Sequence, residues 1–203
     1  ALGYRQERQQ YDDLAHSLLN LAQLYLKSNE LELVSIYCDS SEMMVQNLFQ
    51  TDNEQFGAFE ENANRYRGMS NQYKAQLHFK LGNKPQMERN LKRANRFYGS
   101  LPIERTRLLE ISASMHHDFG DYNKALAELN VGIEIAASQG LSREKEVLYT
   151  TKKRVLSSMG DEEGIIELNE QLLLMNQKKV MAQNRDLLTN MELREQLRSR
   201  QAA

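Results

Sequence analysis

The side chains with most chemistry to offer are four histidines, His16, His78, His116 and His117, a single cysteine, Cys38, and three carboxylate pairs, Asp12-Asp13, Glu60-Glu61 and Glu162-Glu163. Neighbours on a helix point about 100° apart, so His116 and His117 do not chelate one ion together as a pair four residues apart can. Adjacent carboxylates fail as an acid–base pair for the same reason, and two of the three pairs stand where a helix's first turn favours negative charge. The sequence has no glycine-rich phosphate loop, no HExxH, CxxC or EF-hand pattern, and no serine or cysteine in a nucleophile context. These features predict a chain that is not an enzyme and holds neither cofactor nor metal. His117-Asp118 is the one pair left to inspect. The densest positive stretch, Arg89, Lys92, Arg93 and Arg96 with Arg105 and Arg107 following, is of a kind that receives nucleic acid or an acidic partner. Leu91, Ala94 and Phe97 interleave there at core spacing, which makes the stretch the solvated outer face of a helix. With 26 basic against 28 acidic residues the net charge is −2, and no nucleic-acid partner is expected.

The elements that must position these residues are helices. Leu81-Gly82-Asn83, Phe119-Gly120-Asp121-Tyr122 and Met159-Gly160-Asp161 share one pattern: an apolar residue, a glycine and a polar helix starter. Ser28-Asn29-Glu30-Leu31 is a fourth copy with asparagine in the glycine's place. Both residue types tolerate the left-handed backbone that ends one helix so that a second can fold back, so Asn29, Gly82, Gly120 and Gly160 are expected hairpin corners. Corner spacings are 53, 38 and 40 residues, the first interval carrying an insertion. Apolar residues recur at helical spacing on both sides, as in Leu14, Leu18, Leu21, Ala22 and Tyr25, or Tyr122, Ala125, Leu126, Leu129, Gly132 and Ile133. Thr51-Asp52-Asn53-Glu54 reads as a capping box, and Gly99-Ser100-Leu101-Pro102 and Gly140-Leu141-Ser142 as a stop followed by a start. The pattern predicts helices near 5–28, 31–48, 54–81, 84–98, 102–119, 122–139, 142–159 and 162–198.

These residues resemble the tetratricopeptide repeat family over about residues 10 to 175. The third hairpin carries the likeness best, with Ala113, His116 at the aromatic position, Gly120, Tyr122, Ala125 and Gly132; Ala22, Tyr25, Asn29, Leu31, Val34 and Ser41 form the first copy, and Ala75, His78, Gly82, Met87 and Ala94 the second. The fourth, Leu156, Gly160, Ile165 and Leu172, is degenerate, with Lys153 at the small-residue position. The resemblance implies an all-α, right-handed superhelix of about four hairpins over 1–175, with a concave groove. The family's inward positions then select Gln76, Phe79, Lys80, Arg107, Glu110, Ser114, His117 and Asp118 as the groove's binding residues, flanked by His16, Leu19, Gln23, Lys27, Gln72, Thr150 and Arg154. Phe79 is the aromatic anchor, unless it packs on the inserted segment of residues 50 to 67. The family's carboxylate-clamp residues are not matched, and a protein or peptide partner is implied.

The last helix, within 162–203, is shared with the fourth hairpin and runs far beyond it, reaching roughly 55 Å. Ile165, Leu168, Leu172 and Met175 are expected to pack on the stack. Leu173, Val180 and Leu187, seven apart, give either a homodimer seam or a solvated helix that leads to a further segment. No run is long and apolar enough for a membrane span within the chain. A repeat array running into such a helix resembles the sensor region of membrane-anchored regulators of Bacteroidetes-type bacteria, commonly histidine kinases. That likeness implies a non-catalytic binding module in a two-component signalling protein, placed outside the cytoplasm and cut from a longer chain whose downstream domain is a kinase. Arg194, Arg198 and Arg200 speak instead for the cytoplasmic side. A free-standing cytoplasmic adaptor scaffold is the alternative.

Overall fold

The computed structural model describes the backbone of residues 2–50 and 57–201 and the side chains of residues 10–47 and 60–191. Five of the turns between helices close in the same way, the turn before Pro102 being different, with Leu101 N–H returning to the Tyr98 carbonyl. At Gly82, Gly120, Gly140 and Gly160 φ lies between 65° and 78°, and Asn29 adopts 65°. One residue further on, an N–H returns to the carbonyl five positions back: Glu30 to Tyr25 (2.9 Å), Asn83 to His78 (2.8 Å), Asp121 to His116 (2.8 Å), Leu141 to Ala136 (2.8 Å) and Asp161 to Leu156 (3.1 Å). This is the Schellman closure, which needs a left-handed residue to satisfy the last carbonyls. Gly140 forms it between hairpins, so corner chemistry alone does not distinguish a turn within a pair from one between pairs. Pro85 and Pro102 sit in the first turns of their helices, where a missing N–H costs nothing.

The result is all-α. Among the described residues eight helices follow one another: α1 (Leu2–Ser28), α2 (Leu31–Gln50), α3 (Gly57–Lys80), α4 (Lys84–Phe97), α5 (Pro102–Asp118), α6 (Tyr122–Ser138), α7 (Ser142–Met159) and α8 (Glu162–Gln201). They pack as sequential pairs, and the first helix of each pair also touches the first helix of the next. The start expected for α3 at 54 and the capping box expected at 51–54 lie outside the described residues.

Small residues set the spacing. Ala22, Ala75 and Ala113, each seven before a corner, are fully buried. Lys153 at the matching place in α7 is exposed and donates to Asn169 of α8 (3.1 Å). Tyr98 is 1% exposed because Gly68 admits its ring: a Cβ there would lie 2.1 Å from Tyr98 Cε1. Gly132 admits Leu148 in the same manner. The core stripe of α1 is Ala15, Leu19, Ala22 and Leu26, one residue removed from the Leu14, Leu18, Leu21 and Tyr25 row. Leu14 and Leu21 are exposed, and Leu19 belongs to the core rather than the groove. α1 is apolar on two adjoining faces, so periodicity fixes its helicity but not which face turns inward. In α8, Leu168 is buried and Ile165, Leu172 and Met175 are half-buried, whereas Leu173, Val180 and Leu187 are exposed.

Candidate functional site

The eight residues of the expected groove fall on the first helices of the second and third hairpins, and most are bonded to a neighbouring helix. Lys80 Nζ donates to Asn29 Oδ1 (3.1 Å), tying α3 to the first corner. Phe79 is half-buried and meets Phe119 edge-on, ring centroids 5.4 Å apart, so its packing partner is the end of α5. Gln76 is half-buried on α3, one turn before Lys80. Arg107 pairs with Glu144 of α7 (3.2 Å). Glu110 Oε1 accepts from Thr151 Oγ1 (2.8 Å) and Ser114 Oγ (3.2 Å), and Arg154 Nη2 donates to Ser114 Oγ (2.8 Å). The stripe is therefore a polar seam between successive first helices, strongest between α5 and α7.

His117 extends that seam. Its Nδ1 lies 2.9 Å from Asp118 Oδ1 and its Nε2 2.8 Å from Ser158 Oγ on α7. This is the connectivity of an acid–imidazole–hydroxyl relay, which the sequence conceals because Ser158 lies forty-one residues away. A nucleophilic serine also needs N–H donors aimed at a developing oxyanion. The backbone amides of Gly160, Asp161 and Glu162, which follow Ser158, all donate within the corner, and Ser158 Oγ itself donates to the Arg154 carbonyl (3.2 Å). As placed, the trio ties α5 to α7.

Different geometry opens where α4 and α5 diverge, the consecutive pair in least contact. A cleft of about 610 Å³ lies between α4, α5 and α6. Leu91, Leu108 and Leu109 form apolar walls, Arg89 and Lys92 stand exposed on the rim, and Ser112, His116 and Glu128 line the interior. Ser112 Oγ, His116 Nδ1 and Glu128 Oε2 are buried with no hydrogen bond of full geometry, although the Ser112 hydroxyl lies near enough to Glu128 to draw on its carboxyl. His116 is 1% exposed, with Nε2 3.6 Å from Glu128 Oε1 and Nδ1 3.6 Å from Asp121 Oδ2, both beyond hydrogen-bond length.

Burial pushes the Glu128 carboxyl up to about 7, against the pull of Ser112 and Lys124. Burial, reinforced by Lys124, lowers His116. Both groups are driven toward their neutral forms, so they do not stand as an ion pair despite their proximity. Lys124 is occupied by Glu88 (2.8 Å), and Lys84 by Asp121.

The basic stretch of α4 is divided. Arg89 and Lys92 face this cleft; Arg93 and Arg96 line a second one of about 450 Å³ with Glu42 and Phe97, whose ring Arg67 covers. Glu128 and Ser112 are the residues that sequence reasoning misses. A signal exists for Glu128: it shares a helix face with Ala125 and Gly132, an apolar row in which a carboxylate is out of place. Ser112 has none, since a buried and an exposed serine read alike.

No three of His, Cys, Asp and Glu among the described residues are grouped to hold a metal. No described helix is long and apolar enough to cross a membrane. No family model, curated protein or solved structure matches the chain.

Proposed function

We propose that this chain is a non-catalytic binding module of tetratricopeptide type, the interaction or sensor region of a bacterial signalling protein, and that its ligand occupies the cleft between α4, α5 and α6. One observation carries the reading: Ser112 Oγ, His116 Nδ1 and Glu128 Oε2 lie buried without a full hydrogen bond on the lining of an open cleft. Such a group costs about 1–3 kcal/mol while unbonded, and a ligand recovers this where side chains shift to bring the buried atom into the cleft. The seam of Arg107, Glu110, Ser114 and His117 offers less, because its hydrogen bonds are already made. Leu91, Leu108 and Leu109 favour an aliphatic side chain, and Arg89 and Lys92 favour flanking acids, so the fitting ligand is a short acidic peptide with an aliphatic anchor.

Selection from a displayed library of short random peptides, followed by calorimetry on the enriched sequences, tests this. Acidic-aliphatic peptides are expected, with affinity falling at least about tenfold in Arg89→Glu/Lys92→Glu and unchanged in Arg107→Glu. Enrichment that Arg107→Glu or Phe79→Ala abolishes, with the rim variant unaffected, moves the ligand to the seam and overturns the assignment.

A further inference from the structure

Among the described residues, each end of the helical stack leaves one apolar face uncovered. On α1, Leu24 is 59% and Leu21 37% exposed, with Leu18 half-buried beside them; on α8, Ile166 is 60% and Leu173 59% exposed. Distance from the corners shows what these positions do inside the stack. There the second helix of one hairpin packs on the first helix of the next. The residue eight before a corner meets the residue ten after the preceding one: Lys152 Nζ donates to Asn130 (2.8 Å), and Lys74 Nζ pairs with Asp39 (2.7 Å).

Where α6 meets α7, the apolar part of that contact is Val155 and Tyr149, five and eleven before Gly160, packed with Leu126 and Ile133, six and thirteen after Gly120. Ile166 and Leu173 stand six and thirteen after Gly160, and Leu24 and Leu18 five and eleven before Asn29. The uncovered face of α8 is thus the second-helix half of the stack's own interface, and that of α1 is the first-helix half.

We propose that a second copy of this chain docks head to tail, its α1 lying antiparallel on α8 of the first in the register that α7 takes on α6. Leu24 then meets Ile166, Leu18 meets Leu173, and Tyr11 meets Val180 one heptad further along. Lys27, in the last turn of α1, comes beside Glu163 and Glu167, a complementary pairing of charge. At 27 and 40 residues α1 and α8 outrun α7 and α6, of 18 and 17, so the contact extends past that between α6 and α7. The surfaces joined are different, so the association is heterologous and open-ended rather than a closed dimer. A single helix-on-helix contact buries less than the roughly 1,200 Å² of a stable specific interface, so the association is weak and depends on concentration.

Sedimentation velocity on the whole chain up to about 1 mM tests this. The chain is expected to form a concentration-dependent series of oligomers. Leu24→Glu blocks the head and Ile166→Glu/Leu173→Glu the tail; all three sites are exposed, and circular dichroism checks that each variant folds. Each variant alone should be monomeric, while an equimolar mixture forms dimers and stops there, since one good head and one good tail join and both outer ends are blocked. Independently, Leu24→Cys/Ile166→Cys should give a disulfide ladder on oxidation, Cys38 being buried. A monomer at every concentration, a mixture that stays monomeric, or a closed dimer indifferent to Leu24→Glu overturns the proposal.

Discussion

Glu128 is the residue on which the chemistry of the cleft turns. Its carboxyl titrates near 7 in the folded chain against an ordinary 4.5, because burial disfavours the charged form. The folded state therefore holds this proton more tightly than the unfolded state. The stability that the neutral form supplies is complete below about 4.5 and is lost as pH rises through about 7. Glu128→Gln should remove that loss, raising stability at pH 8 by up to about 3 kcal/mol and flattening the slope between pH 5 and 7 in denaturant titrations. His116, lowered by burial, is neutral at pH 7 and above, so the difference between the two proteins read there belongs to Glu128. The Ser158–His117–Asp118 trio yields a second expectation. With the amides of Gly160, Asp161 and Glu162 already donating within the corner, Ser158→Ala is expected to leave aryl-ester hydrolysis at the rate of the unaltered chain and of free imidazole, while weakening the bridge from α5 to α7. A rate that drops on this substitution would show that the relay acts on substrate.

At the scale of the helix, corners and ends obey local rules. Gly120 has φ 78° and nothing near its missing Cβ, so Gly120→Val should destabilise by roughly 1 kcal/mol or more through backbone strain alone, measurable as a lowered urea midpoint. In α8 the side chains of residues 176–191 are exposed, and the reach of Lys179 to Glu146 is 3.9 Å between two exposed groups. Removing residues 178–203 should therefore change the unfolding free energy by less than about 1 kcal/mol; a larger loss would mean that this half of the helix is packed. These features were legible in sequence because a left-handed residue, a capping partner and a 3.6-residue period act within a few positions of one another. The four corners and all eight helices could be read in that way. The inward face of α1 could not, since Leu14, Leu21 and Leu24 are as apolar as the Ala15, Leu19, Ala22 and Leu26 that the fold buries. The cleft was hidden for a stronger reason: it depends on how far α4 and α5 separate, and the contacts around it, such as Gly68 with Tyr98 and Arg65 with Glu104 (2.8 Å), join residues far apart in sequence.

Across the whole molecule, hairpins that contact only their neighbours contribute stability as a sum of units and junctions. Polar bonds secure the junction between α2 and α3, where Glu42 accepts from Ser70 (2.6 Å) and Lys74 (2.8 Å), and the seam secures α5 to α7. The junction between α4 and α5 is the open one, and there the lining carries polar atoms that lack a full hydrogen bond. A stack with one unfilled junction is the physical content of the proposed binding function. The most direct measurement is two-dimensional amide NMR of the whole chain titrated with a selected acidic-aliphatic peptide. Shifts should concentrate at Leu91, Leu109, Ser112, His116 and Glu128 and saturate together with one dissociation constant. Shifts confined to Gln76, Arg107, Glu110 and Ser114, with the cleft resonances unmoved at saturation, would contradict the account.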